Sequence, residues 1–267
     1  MDYKIGLRAI YQKNIRTAII EARQNGFEVL EIHLSAPQFQ PEKYSHRELK
    51  SLALLAKKNN IILQVHASLE SSLLFLNQFL RKATRSQILE TIKFSRALRA
   101  RCLTLHPGSV YGYHPANGVK IKNDDEFRKA YCRLFEDGLK LVSSAKVGNL
   151  IVCIENTDNF NADYRKILEK YLKQGKLFLT LDIRKLFSFN NIPQKEQNNF
   201  VQKNKSYVKN IHISSPGSAH GIIEKNEREL LKYLEIFKNK DLPLIFEVLP
   251  LKATLESKKN LEFLMSK

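Results

Sequence analysis

Six residues, spread over about 180 positions, have side chains suited to shared chemistry, namely His66, His106, Glu155, Asp182, His212 and Glu247. Each falls at the end of a short apolar segment, in "IILQVHAS", "CLTLHPGS", "LIVCIENT", "LFLTLDI", "VKNIHISS" and "LPLIFEV". Imidazole nitrogen and carboxylate oxygen are the ligands that Zn²⁺ or Mn²⁺ takes, and ionised carboxylates neutralise the ion's charge. His33 ends a further segment, "FEVLEIHLS", so four of the seven histidines sit at strand ends. Surface or core histidines have no reason to sort in this way. Each residue also has a plainer reading. Asp182 could cap the following helix, His106 could bond within a Pro107–Gly108 turn, and Glu247 lies in an apolar run where an unpaired carboxylate is costly. Glu247 therefore needs a partner, and a cation is the simplest one.

The elements that position these residues alternate. Eight β-rich segments, at 3–8, 27–35, 61–68, 102–109, 150–157, 177–183, 208–215 and 242–248, are separated by helical patterns. One pattern stops at Gly26, and another begins with the Ser45–Glu48 spacing of a capping box. Longer helices are expected at 84–99, 124–146, 161–173 and 226–239, with a last one near 254–265. Residues 185–200 give the weakest pattern, with a short helix after Pro193. Eight strand–helix units are the count of a (β/α)8 TIM barrel of the α/β class, in which chemistry sits where the strands run out. No Gly-rich loop follows the first strand, which favours the barrel over an open doubly wound sheet. No linker or composition break divides residues 1–267, so one domain is expected.

Composition narrows the function classes. The apolar runs are of strand length, so no transmembrane span is expected, and the opening "MDYKIGLR" carries no signal-peptide pattern. Three cysteines, an odd number with Cys102 and Cys153 inside strands, fit buried free thiols in a reducing cytoplasm rather than a disulfide framework. The net charge of +17 has two readings: attraction for DNA or another polyanion, or lysines scattered over solvated helix faces. The lysines are spread through every third of the chain, without a dense basic block.

Through "VHAS", "LHPGS", "IEN", "LDI", "HISS" and "IFEV", in order, the chain resembles the xylose isomerase-like TIM-barrel superfamily. That group holds sugar isomerases and epimerases, inosose dehydratases and endonuclease IV-type abasic-site nucleases. The resemblance implies one divalent metal, Zn or Mn with Mg or Co as alternatives, on Glu155, Asp182, His212 and Glu247. In the nucleases the histidines at His66 and His106 hold a second metal with the bridging Glu, and many sugar-processing relatives keep them too. Lys185 stands where nucleases and epimerases place a histidine, and "SPGSAHG" offers Ser218 and His220 where nucleases use an Asp and a His. The helix before the fourth strand ends "RALRAR", where relatives usually have a glycine.

The expected activity is a metal-dependent isomerase or epimerase acting on a small sugar-like carbonyl compound by enediolate proton transfer. Glu155 and Glu247 exchange the proton, and Lys185, His66, His106, His220 and His33 are candidates for substrate contact. A dehydratase would use the same enolate chemistry, and an abasic-site endonuclease is the alternative that the positive charge favours.

Overall fold

The computed structural model describes residues 3–110, 125–145, 148–157, 160–187, 193–218, 220–238 and 241–266. Eight parallel strands close on themselves in chain order, β1 pairing with both β2 and β8. They are β1 (Lys4–Ala9), β2 (Val29–His33), β3 (Ile62–His66), β4 (Cys102–Leu105), β5 (Ile151–Glu155), β6 (Phe178–Asp182), β7 (Val208–Ile213) and β8 (Pro243–Phe246). The helices are α1 (Ile15–Gln24), α2 (His46–Lys58), α3 (Gln78–Ala97), α4 (Asp125–Ser144), α5 (Ala162–Lys173), α6 (Arg184–Phe187), α7 (Gln194–Asn204), α8 (Arg228–Glu235) and α9 (Leu251–Met265). This is the (β/α)8 barrel that the alternation predicts. No helix among the described residues is long and apolar enough to cross a membrane.

Local sequence starts the helices. Ser45 and Glu48 form the capping box read from their spacing, the Ser45 side chain taking the Glu48 N–H and Glu48 returning to the Ser45 N–H. Asn14, Asn77 and Asn161 cap α1, α3 and α5 with their side-chain oxygens. The Asn77 cap starts α3 at Gln78, six residues earlier than the apolar periodicity suggests. "RALRAR" also acquires a reason. Arg99 follows α3 with φ +54°, the left-handed position that usually ends a helix on glycine.

The strands' period of two divides their side chains. Leu63 and Val65, like Val152 and Ile154, are buried in the hydrophobic core. The alternate positions turn into the barrel, and there the fill is polar: Glu31, Gln64, Thr104, Thr180 and Asn210 are all fully buried. Thr104 and Thr180 hydroxyls meet at 2.8 Å across this layer. Gly6 belongs to the same interior, where a Cβ would stand 2.2 Å from Ile245 Cδ1. Cys102, Cys132 and Cys153 are free thiols.

Candidate functional site

Above the polar layer the strands end in the residues singled out by type. His66 and Glu155 are the last residues of β3 and β5, His212 lies near the end of β7, and Glu247 follows β8 directly. Glu155 Oε2 is a hub for three imidazoles: it lies 3.1 Å from His66 Nε2, 3.0 Å from His106 Nε2 and 3.5 Å from His212 Nδ1. His212 Nδ1 is also 3.0 Å from Glu247 Oε1. One ligand atom from each of His66, Glu155, His212 and Glu247 lies within 4.8 Å of the others, and all four residues are buried. Donors so close, of mixed nitrogen and oxygen type and shielded from water, fit a single divalent ion.

Hydrogen bonds aim these rings. His66 Nδ1 lies 2.8 Å from the Ala67 carbonyl, which only accepts, so Nδ1 donates and Nε2 is the nitrogen turned toward Glu155. The "LHPGS" turn carrying His106 packs on Ser72. Gly108 has φ +107°, and a Cβ there would meet Ser72 Cα at 3.0 Å and its Oγ at 2.0 Å. His33 ends β2, stacked on His66 with centroids 4.4 Å apart, and its Nδ1 accepts the Ser35 N–H at 3.3 Å. Burial first, then the nearby His66 and Arg8, push its pKa down and keep the ring neutral.

Asp182 stands beside the four-residue group. Its Oδ1 accepts the Lys185 N–H at 3.4 Å, at the start of α6, which is the capping role of the plainer reading. Its backbone is clamped by Asn156, whose side chain accepts the Asp182 N–H at 2.7 Å and donates to the Asp182 carbonyl at 2.9 Å. Lys185 is half-buried. His220 lies toward the outside, at φ +57°, with Nδ1 2.8 Å from the Glu247 carbonyl.

The charges respond to one another. Burial alone would raise the Glu155 pKa, but His106 and His212 outweigh it and hold the carboxyl well below the usual range. Glu247 is likewise lowered, Arg8 and His212 overcoming burial. For Asp182 the balance goes the other way: burial, then Glu247 and Glu155, outweigh His212 and Arg184 and push it up to about 7. His212 is raised well above an ordinary histidine, because Glu31, Glu247 and Glu155 outweigh its burial.

Two buried charged residues escape the sequence reading. Arg8, after Leu7 in β1, holds Glu247 Oε1 at 2.8 Å and is the cation that the buried glutamate requires. Glu31, in the middle of β2, lies 3.0 Å from His212 Nε2. The available signal was the charge itself: an arginine closing "KIGLR" and a lone glutamate inside "VLEIH".

The model of the xylose isomerase-like TIM-barrel family matches residues 19–250. The chain belongs to that family. Its structural neighbours are named as enzymes. The 3-keto-D-glucoside 4-epimerase of E. coli superposes with TM-score 0.74 at 12% identity, over 99% of this chain and all of its own. D-psicose 3-epimerase from Clostridium cellulolyticum gives TM-score 0.69 at 16% identity, over 98% of both chains. Endonuclease IV from Thermus thermophilus gives TM-score 0.69 at 15% identity, again over 98% of both. At such identities the likeness is one of fold, and the neighbours' names include both sugar epimerases and a DNA endonuclease. No curated protein matches the chain in sequence.

Proposed function

We propose that the chain is a divalent-metal-dependent isomerase or epimerase of a small sugar or sugar-like carbonyl compound. The carrying observation is the closed group of His66, Glu155, His212 and Glu247 at the barrel mouth. His66, Glu155, His212 and Glu247, with Asp182 beside them, would hold the ion, Zn²⁺ or Mn²⁺ by donor type. When bound, such an ion polarises neighbouring carbonyl and hydroxyl oxygens and makes the proton between them more acidic.

The protein's own groups do the rest. Glu155 and Glu247 approach His212 Nδ1 at 3.5 and 3.0 Å, and a substrate carbon between two carboxylates can lose its proton to one and regain it from the other. His106, less enclosed than His66, and Lys185 at the start of α6 are placed for substrate hydroxyls or an anionic oxygen, with His33 and His220 as flanking candidates. Three free thiols support a reducing, cytoplasmic setting.

In this fold helix N-termini surround the mouth, and their first turns carry both signs, Glu48, Asp125, Glu126, Asp163, Glu196 and Glu229 beside Arg16, Arg47, Arg81, Arg128, Lys195, Arg228 and Lys252. Last turns, at the opposite end, carry Arg23, Lys57, Lys58, Arg96, Lys173 and Lys203. The excess of +17 is therefore shared by both ends of the barrel, and charge does not choose between a small anionic substrate and a DNA backbone.

The second reading, a phosphodiesterase of the endonuclease IV type, draws on the convergence of His66 and His106 on one Glu155 oxygen, a donor set suited to another metal. The test is direct. Metal-loaded protein is incubated with a panel of ketoses in D₂O and, separately, with a duplex carrying one abasic site. Deuterium entering the carbon next to the carbonyl, with about one metal per chain, is the expected result. Strand nicking without exchange, with two or more metals, reverses the assignment.

A further inference from the structure

Beneath the four-residue group, deeper in the barrel, lies a carboxylate with no evident role in packing. Glu31 is fully buried, and its Oε2 takes the Asn210 side-chain amide at 3.2 Å and faces His212 Nε2 at 3.0 Å. Its other oxygen, Oε1, is buried without a hydrogen bond among the described residues. An unshared buried carboxylate oxygen costs stability, so packing does not account for this residue.

We propose that Glu31 is a positioning residue for the centre above it. Its Oε2 holds the Nε2–H of His212, which leaves Nδ1 as the nitrogen aimed between Glu155 and Glu247 and available to an ion. A carboxylate only accepts hydrogen bonds, so Nε2 donates to Glu31; Nδ1, whose carboxylate neighbours Glu155 and Glu247 are themselves candidate ligands, gives up its proton to an ion that enters between them. The remaining nitrogen is then the ligand atom, and it is the one lying 3.0 Å from Glu247 Oε1 and 3.5 Å from Glu155 Oε2.

The second imidazole of the group follows the same logic through the opposite nitrogen. His66 donates from Nδ1 to the Ala67 carbonyl and offers Nε2. Each ring therefore has an outer acceptor that selects its tautomer, and for His212 that acceptor is a charge, which also raises the ring's basicity. Asn210 Nδ2 lies 3.2 Å from Glu31 Oε2, 3.4 Å from the Thr104 hydroxyl and 3.0 Å from His212 Nε2; its two hydrogens go to Glu31 and Thr104, and Nε2, a second donor, turns its proton to the same Glu31 oxygen. A chain of side chains from β7, β2 and β4 thus fixes one ring.

This inference rests on the proposed metal site, and its test separates the two. Full-length protein stripped with EDTA is titrated calorimetrically with Co²⁺ as wild type, Glu31→Gln, His212→Gln and the double variant. Glu31→Gln should weaken Co²⁺ binding about tenfold or more, and should cost nothing further when His212 is already gone. An equal loss in both backgrounds means that Glu31 acts only as a distant charge and overturns the positioning role, as does an unchanged affinity in Glu31→Gln. A wild type that takes up no Co²⁺ overturns the metal reading together with this one. A second measurement decides if a variant fails to fold or binds too weakly to titrate. Co²⁺-loaded wild type should show a strongly shifted, slowly exchanging imidazole N–H that is assigned to His212 Nε2; its absence refutes the proposal.

Discussion

Arg8 Nη1 stands 2.8 Å from Glu247 Oε1, the same oxygen that lies 3.0 Å from His212 Nδ1. The pair spans the β1–β8 seam, where Leu7 is in register with Phe246 and the barrel closes. Both side chains are less than a tenth exposed. The charge of the candidate metal site is therefore partly neutralised by an arginine of the protein itself. Replacing Arg8 by Met leaves a buried glutamate facing other carboxylates, and the metal-free protein should lose about 3–5 kcal/mol of stability. Bound metal replaces the missing charge. The rise in Tm produced by saturating Mn²⁺ should be larger in Arg8→Met than in wild type, as scanning calorimetry with and without EDTA would show. A smaller rise would mean that Arg8 supports the ligand rather than competing with the ion.

Stability without metal should fall as pH rises from about 5 to 8. Asp182, raised to about 7, is protonated in the folded state where the unfolded chain has already ionised, so its contribution is lost as pH climbs through 7. His212, also raised, contributes below the ordinary histidine range and loses that contribution above it. Metal affinity should run the other way, increasing with pH, because ligands must shed protons to bind. Urea midpoints in EDTA and Zn²⁺ titrations at four pH values check both trends, and a midpoint that rises or an affinity that falls with pH refutes the corresponding one.

Asn156 bonds both backbone groups of Asp182 at distances of 2.7 and 2.9 Å. Asn156→Ala orphans a buried N–H and a buried carbonyl together, at a cost of about 2–4 kcal/mol. It also frees the end of β6 to move, so turnover should fall more than fold stability alone explains. Comparing kcat of the folded variant with its denaturation midpoint separates the effects. Normal turnover in a merely destabilised protein would refute the positional role.

Arg99 holds φ +54° after α3, a conformation that costs a side-chain-bearing residue roughly 1 kcal/mol and glycine very little. The exposed Arg99→Gly variant should therefore gain up to about 1 kcal/mol, with activity unchanged. Chemical denaturation gives the answer, and a clear loss of stability would show that the guanidinium has a role this geometry does not explain.

Much of this was legible along the chain because it is local. Capping at Ser45–Glu48 depends on residues three apart, and the strand count depends on short apolar runs, so both could be read before any contact was known. Apolar periodicity puts the start of α3 too late, because Asn77 acts through a hydrogen bond that periodicity does not register. At the site, types and strand ends were enough to single out His66, His106, Glu155, His212 and Glu247. Arg8 and Glu31 were passed over, since a charge inside an apolar strand has meaning only once its partner is known.

Sequence alone thus dictated the eightfold alternation and the residue types that end each strand, since both follow from side-chain periodicity and turn chemistry within a few positions. Which groups meet was settled by the tertiary structure. Closure of the barrel brings β1 against β8 and sets Arg8 on Glu247, and it places Glu31 of β2 under His212 of β7. Those partners lie about 180 residues or more apart in the chain. Coulomb attraction at such separations has no trace in local pattern; it acts only after the core has brought the strand ends within a few ångströms.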